Sequence, residues 1–134
     1  MGVLSFIKSR DYRDMEKLWR ATINRNPGCW MAYSNLGSLF SERGDVDDAI
    51  VLFRKALELW PNQTKDHKNL GKALLQQGRM AEAMEEFQAA LRISPNDSDT
   101  ENNIGAAYLQ SGDAEQAVNR QERRWFAEEE LIAA

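Results

Sequence analysis

Between Trp30 and Pro61 the apolar positions keep to helical spacing. Leu36 and Phe40 stand four apart, and Ala49, Phe53 and Ala56 follow at intervals of four and three, so each set lines one face of a helix. Gly44 lies between the two sets, where a residue tolerating positive φ closes a helix cheaply. Pro61 stops the second helix, and Asn62 is placed to start the next. Small Gly37, Ala49 and Ala56 allow two antiparallel helices to approach closely, with Leu36, Phe40 and Phe53 filling the space between them.

The same chemistry returns 34 residues later in His67, Leu70, Gly71, Leu74, Gly78, Ala83, Phe87, Ala90 and Pro95. Pro27, Pro61 and Pro95 are the three prolines of the chain and are 34 apart, and Gly37, Gly71, Gly105 and Gly44, Gly78, Gly112 form two more ladders of that step. Because glycine and proline punctuate local structure, these ladders fix the period. They predict helices over about 29–43, 46–59, 63–77, 80–93 and 97–111, and a last one from near Asp113 to about Leu131.

Two helical runs per 34 residues, with Tyr33, Leu36, Gly37, Phe40, Ala49, Phe53 and Pro61 in one unit and His67, Leu70, Gly71, Leu74, Ala83, Phe87 and Pro95 in the next, resemble the tetratricopeptide repeat. A third unit opens with Ile104, Gly105, Tyr108 and Ala117 and then departs, with Gln121, Arg124 and Glu129 at the aromatic, alanine and proline positions. The resemblance implies an all-α fold, an α-solenoid of antiparallel helix pairs wound into a right-handed superhelix. The expected organisation is a truncated unit over 1–28, full units over 29–62 and 63–96, and a third over 97–134 with an extended capping helix.

The ends depart from the repeat. Met15, Trp19, Thr22 and Pro27 fall on the positions of Ala49, Phe53, Ala56 and Pro61, so residues 11–26 read as the second helix of a unit whose first helix survives only as a remnant over Val3–Lys8. The missing half-unit favours an excised piece of a longer protein. This start, with Tyr12, Leu18, Trp19 and Asn26-Pro27, is similar to the junction in bacterial membrane-anchored tetratricopeptide proteins, which would place the array outside the cytoplasm. At the other end Arg120 to Arg124 give an unstacked terminus a polar face. Val3, Phe6, Trp125 and Phe126 are the residues expected to carry self-association if the open ends pair with other copies.

Composition narrows the function. With 43% hydrophobic and 28% charged residues and a net charge of -4, the chain is an ordinary soluble domain without the basic surface that nucleic acid demands. Cys29 is the single cysteine, which excludes an internal disulfide and fits a cytoplasmic setting. Val3–Ile7 is far too short to span a bilayer, which takes roughly 20 apolar residues. One histidine, one cysteine and scattered acids make no catalytic or metal constellation: His67 stands at the aromatic position of its unit and is expected to pack in the core, and Cys29 to be an inert thiol. No enzyme activity, cofactor or metal is expected.

In tetratricopeptide arrays the first helices line a concave groove that holds extended peptides. The resemblance carries that role to Met31, Ser34, Asn35 and Ser38 in the first unit, Lys65, Lys68, Asn69 and Lys72 in the second, and Asn102, Asn103, Ala106 and Leu109 in the third. Asn35, Asn69 and Asn103 are 34 apart. Each amide offers an acceptor and a donor, so such a ladder can grip a peptide backbone whatever its side chains, as the ladder of O-linked N-acetylglucosamine transferase does. The alternative is that these asparagines brace neighbouring helices. Lys65, Lys68 and Lys72 form one stripe favouring an acidic segment or a free carboxylate, though the carboxylate clamp of chaperone-binding tetratricopeptide domains is matched only at Asn69.

Overall fold

The computed structural model describes residues 2–112, with side chains from residue 11 onward. Its elements are α1 (Gly2–Arg25), α2 (Trp30–Arg43), α3 (Val46–Leu59), α4 (Thr64–Gln76), α5 (Met80–Ile93) and α6 (Ser98–Gln110). Among the described residues every element is an α-helix. The bounds of α2 to α6 agree with the repeat arithmetic to within one residue at each end. The helix expected from Asp113, with Trp125 and Phe126, lies outside the described residues, as do the side chains of Val3 and Phe6.

The punctuation acts as the sequence requires. Gly44 takes φ 89° after α2, and the N–H groups of Gly44 and Asp45 reach back to the carbonyls of Ser41 and Phe40 at 3.1 and 2.8 Å, which satisfies carbonyls the helix end would otherwise leave open. The second helices end differently. Trp60 and Ser94 are extended, with φ -144° and -130°, because the ring of the following Pro61 or Pro95 disfavours a helical conformation in the residue before it.

Two expectations need correction. The chain from Gly2 to Arg25 is one continuous helix of 24 residues, not a remnant and a second helix, since no glycine or proline stands between Ile7 and Asp11 to interrupt it. Nor does Asn62 cap α4. The cap position is Gln63, without a side-chain bond, one residue later than expected because Asn62 remains in the connection. Of the caps from α2 to α6 only Asp97 bonds its helix, accepting from the Thr100 N–H at 3.1 Å.

Packing follows the ladders. Phe53 and Phe87 are fully buried, with Ala49, Ala56, Ala83 and Ala90 beside them. Each phenyl ring lies under the glycine of the preceding helix, Phe53 under Gly37 and Phe87 under Gly71. Leu36, Leu39, Leu70, Leu74, Ile104 and Ala107 join these rings into one core running through the whole array, as expected where each unit buries its face against neighbours.

Candidate peptide-binding groove

The direction of curvature can be read from which helices touch. The first helices of successive units meet directly, α2 with α4 and α4 with α6, whereas the second helices α3 and α5 meet only first helices. An array held closer along one edge curves toward it, so α2, α4 and α6 line the concave side.

On that side Met31 and Leu109 are exposed, as are Lys65, Lys72, Asn102 and Ala106, while Ser38, Asn35, Asn69 and Asn103 are half-buried. The side chains of Asn35, Asn69 and Asn103 make no hydrogen bond among the described residues. A bracing amide would bond the next helix. Among the described residues these three keep donors and acceptors unbonded at the same register of α2, α4 and α6.

Ser34 lies elsewhere: it is buried, and its hydroxyl donates to Asp66 Oδ1 at 2.5 Å, tying α2 to α4. Asp66 is fully buried and its other oxygen has no hydrogen-bond partner among the described residues. Burial pushes this carboxyl above the ordinary aspartate range, against the pull of the Ser34 bond and the nearby Lys65 charge. The sequence reading missed Asp66. The available signal was its register, since Ala32 and Thr100, 34 residues to either side, are also buried.

The lysine stripe is also altered. Lys68 is drawn into ion pairs with Asp97 at 3.2 Å and Asp99 at 3.6 Å, which leaves Lys65 and Lys72 without an ion pair among the described residues. Asp97 is held below the usual carboxylate range by the Thr100 hydroxyl bond and then by Lys68, against some desolvation. These two lysines stand two helical turns apart on α4, about 10 Å by the helical rise.

Further ties hold the helices to one another. Tyr12 donates to Glu42 at 2.9 Å between α1 and α2, and the Gln110 amide donates to the Leu75 carbonyl at 3.2 Å between α6 and α4. Glu16 bonds both Arg20 and Arg43; desolvation works to raise its pKa, but the two guanidinium groups outweigh it and hold it low. Arg43 in turn lies 4.5 Å over the Phe40 ring. His67 is half-buried and makes polar contacts with Pro61 and Glu86 rather than packing as an apolar core ring. Among the described residues there is no group of three or more His, Cys, Asp or Glu side chains suited to a metal, and no helix long and apolar enough to cross a membrane.

Comparison with known proteins agrees with this geometry. A tetratricopeptide repeat family model matches residues 28–96, just over half of the chain, and a second tetratricopeptide repeat model matches residues 74–123. Among solved structures, a crystal structure of MamA is similar with TM-score 0.79 and 21% identity, covering 92% of this chain and 72% of its own. The MamA MSR-1 C2 structure is similar with TM-score 0.76 and 25% identity, over 94% of this chain and 72% of that one. A further MamA protein crystal structure gives TM-score 0.81 at 21% identity, over 91% and 67%. No curated protein matches by sequence. With the repeat register, the curvature and the family match falling on the same stretch, the chain belongs to the tetratricopeptide repeat family and is a helical-repeat scaffold for protein–protein interaction.

Proposed function

We propose that the concave groove holds an extended, acidic segment of another protein. Asn35, Asn69 and Asn103 grip its backbone, Lys65 and Lys72 select acidic side chains or a terminal carboxylate, and Met31, Ser38, Asn102, Ala106 and Leu109 complete the contact surface. The observation that carries this reading is the register of three half-buried asparagines with no bond among the described residues. The unit organisation that goes with this reading is a truncated unit over 1–28, full units over 29–62 and 63–96, and a third unit over 97–134. A binding module of this kind needs no nucleophile, base or cofactor, and its net charge of -4 disfavours nucleic acid as the partner.

The test separates two mutant classes. Replacing Asn35, Asn69 and Asn103 by Ala should weaken acidic and neutral peptide ligands alike, by about 0.5–1.5 kcal/mol per lost hydrogen bond. Replacing Lys65 and Lys72 by Ala should weaken only acidic ligands, and the loss should shrink with added salt, because exposed charges are screened beyond about 8–10 Å. Calorimetric titration at two salt concentrations reads both. If the asparagine variant keeps full affinity but loses thermal stability, the ladder is a brace and the reading is wrong.

A second reading, assembly through the chain ends, is favoured by the surface of α1. Met15 and Leu18 are 44% and 57% exposed, whereas Ala49 and Ala83, at the register of Met15 in α3 and α5, are fully buried against a first helix. This apolar face fits a helix from another copy. Met15→Asp combined with Leu18→Asp should abolish concentration-dependent association in sedimentation while leaving the fold intact, since both side chains are exposed. Association unchanged by the double substitution would exclude this face.

A further inference from the structure

His67 is the single histidine of the chain, and both of its ring nitrogens face acceptors. Nδ1 is 2.7 Å from Glu86 Oε2 on α5, and Nε2 is 2.8 Å from the Pro61 carbonyl in the connection between α3 and α4. A neutral imidazole has one N–H and can satisfy only one of them, and the other would meet a lone pair. Only the imidazolium, with two N–H groups, donates to both.

The preceding unit supplies an internal control. At the equivalent register Tyr33 donates its hydroxyl to the Pro27 carbonyl at 2.9 Å, making the same tie to the proline corner without a charge. The second unit thus has a titratable version of a contact that the first unit makes with a phenol.

We propose that His67 is a pH-operated clasp: protonated, it fastens α4 at once to α5 and to the proline corner after α3, and on losing its proton it must release one of the two. This inference is independent of the groove reading, since it concerns how the helices are held and not what they bind.

The surrounding charges favour the protonated form. Glu86 is the direct partner from α5, and its hydrogen bond is the main influence raising the His67 pKa above the ordinary 6.5, with the Pro61 carbonyl and the Glu86 and Asp66 charges adding to it and burial opposing it. Arg92 of α5 lines the same open cleft of about 560 Å³ with Asn62 and Ile93. On α4 itself Asp66 is buried beside the ring, flanked by Lys65, while Lys68 is engaged by Asp97 and Asp99. Neither α3 nor the corner after it adds a charged side chain to the cleft, and across the α2 interface Asp66 meets the neutral Ser34 hydroxyl.

The sign follows from linkage. A folded-state pKa above the unfolded value means that the folded chain binds the proton more tightly. The stabilisation is fully present below the unfolded pKa, near 6.5, and is lost as pH rises through the folded one. Asp66 shifts in the same direction at lower pH, from an ordinary value of 3.8, so the measurement must isolate the imidazole.

Proton NMR of the intact chain does so, because one histidine gives one Cε1–H titration curve. The expected midpoint lies above that of the urea-unfolded chain, and Glu86→Gln should bring it down. In parallel, melting temperatures of the native chain and of His67→Tyr, which restores the Tyr33-type tie without a titrating ring, should diverge as pH rises from 6 to 8.5, the native chain losing ground. A folded midpoint at or below the unfolded one, a midpoint unmoved by Glu86→Gln, or parallel melting curves would each overturn the proposal. The native titration and Glu86→Gln decide it even if His67→Tyr fails to fold.

Discussion

Phe87→Ala should destabilise the array by about 3–5 kcal/mol, the range for removing a fully buried aromatic ring from a close-packed core. The ring is completely enclosed and lies directly beneath Gly71, at the joint between α4 and α5. The residues closest to it in the repeat pattern, Gly71 across the joint and Ala83 and Ala90 one turn to either side on α5, are small and offer little side chain to fill the vacated space. Domains are stable by roughly 5–15 kcal/mol, so this loss is a large fraction of the total. In an array whose units support one another it should appear first as loosening of α4 and α5 rather than uniform weakening. Chemical denaturation of the variant, with hydrogen exchange resolved by helix, measures both. A loss below 1 kcal/mol, or protection falling evenly across all helices, would contradict this packing.

Gly71→Leu attacks the same joint from the other side. A Cβ on Gly71 would sit 2.5 Å from Phe87 Cε1 and 2.8 Å from Cδ1, closer than side-chain atoms tolerate, and the ring it would press on is fully buried. Overpacking of a core commonly costs about 1–3 kcal/mol, occasionally more, and this contact belongs at the upper end. Gly37→Leu should follow with a smaller penalty, since its Cβ would meet Phe53 at 2.9 Å. Because Gly71 and Phe87 share one contact, their effects should not add: in Phe87→Ala the truncated side chain leaves room for a larger residue at 71, and the second substitution should cost less there than in the native background. Equal costs in the two backgrounds would show that the glycine is small for some other reason.

The sequence was most informative where glycine and proline recur. Three such ladders at one period set the helix bounds, and the aromatics at the midpoints of α3 and α5, Phe53 and Phe87, located the core, because the constraints are local and repeated. It was least informative where the contact depends on how one unit sits on the next. Lys68 belongs to a stripe with Lys65 and Lys72 by spacing alone, yet the cap and first turn of α6 bring Asp97 and Asp99 against it, and nothing in the spacing within α4 reveals that. The family resemblance carries a groove role to Ser34, but the contact between α2 and α4 buries it against Asp66. His67 was read as an aromatic substitute. It occupies the aromatic position, but the carboxylate that defines its chemistry comes from Glu86 on the opposing helix, and period-34 matching does not pair positions across helices. At the amino-terminal end the period suggested a helix boundary that the backbone does not have, since a register shared with later units says which face is buried and not where a helix begins.

The glycines that close the first helices stand in contrast to Gly71. At Gly44 and Gly78, with φ 89° and 76°, a Cβ would meet no atom within 4 Å. Room is not what these two positions lack; what they exclude is a side chain of the natural handedness, for which positive φ is strained. Stereochemistry and volume, which usually act together at a conserved-looking small residue, are thus separated within one short chain: at Gly71 any added atom is refused, whereas at Gly44 and Gly78 the refusal falls on the L configuration, and a D-residue would have the backbone angle it prefers.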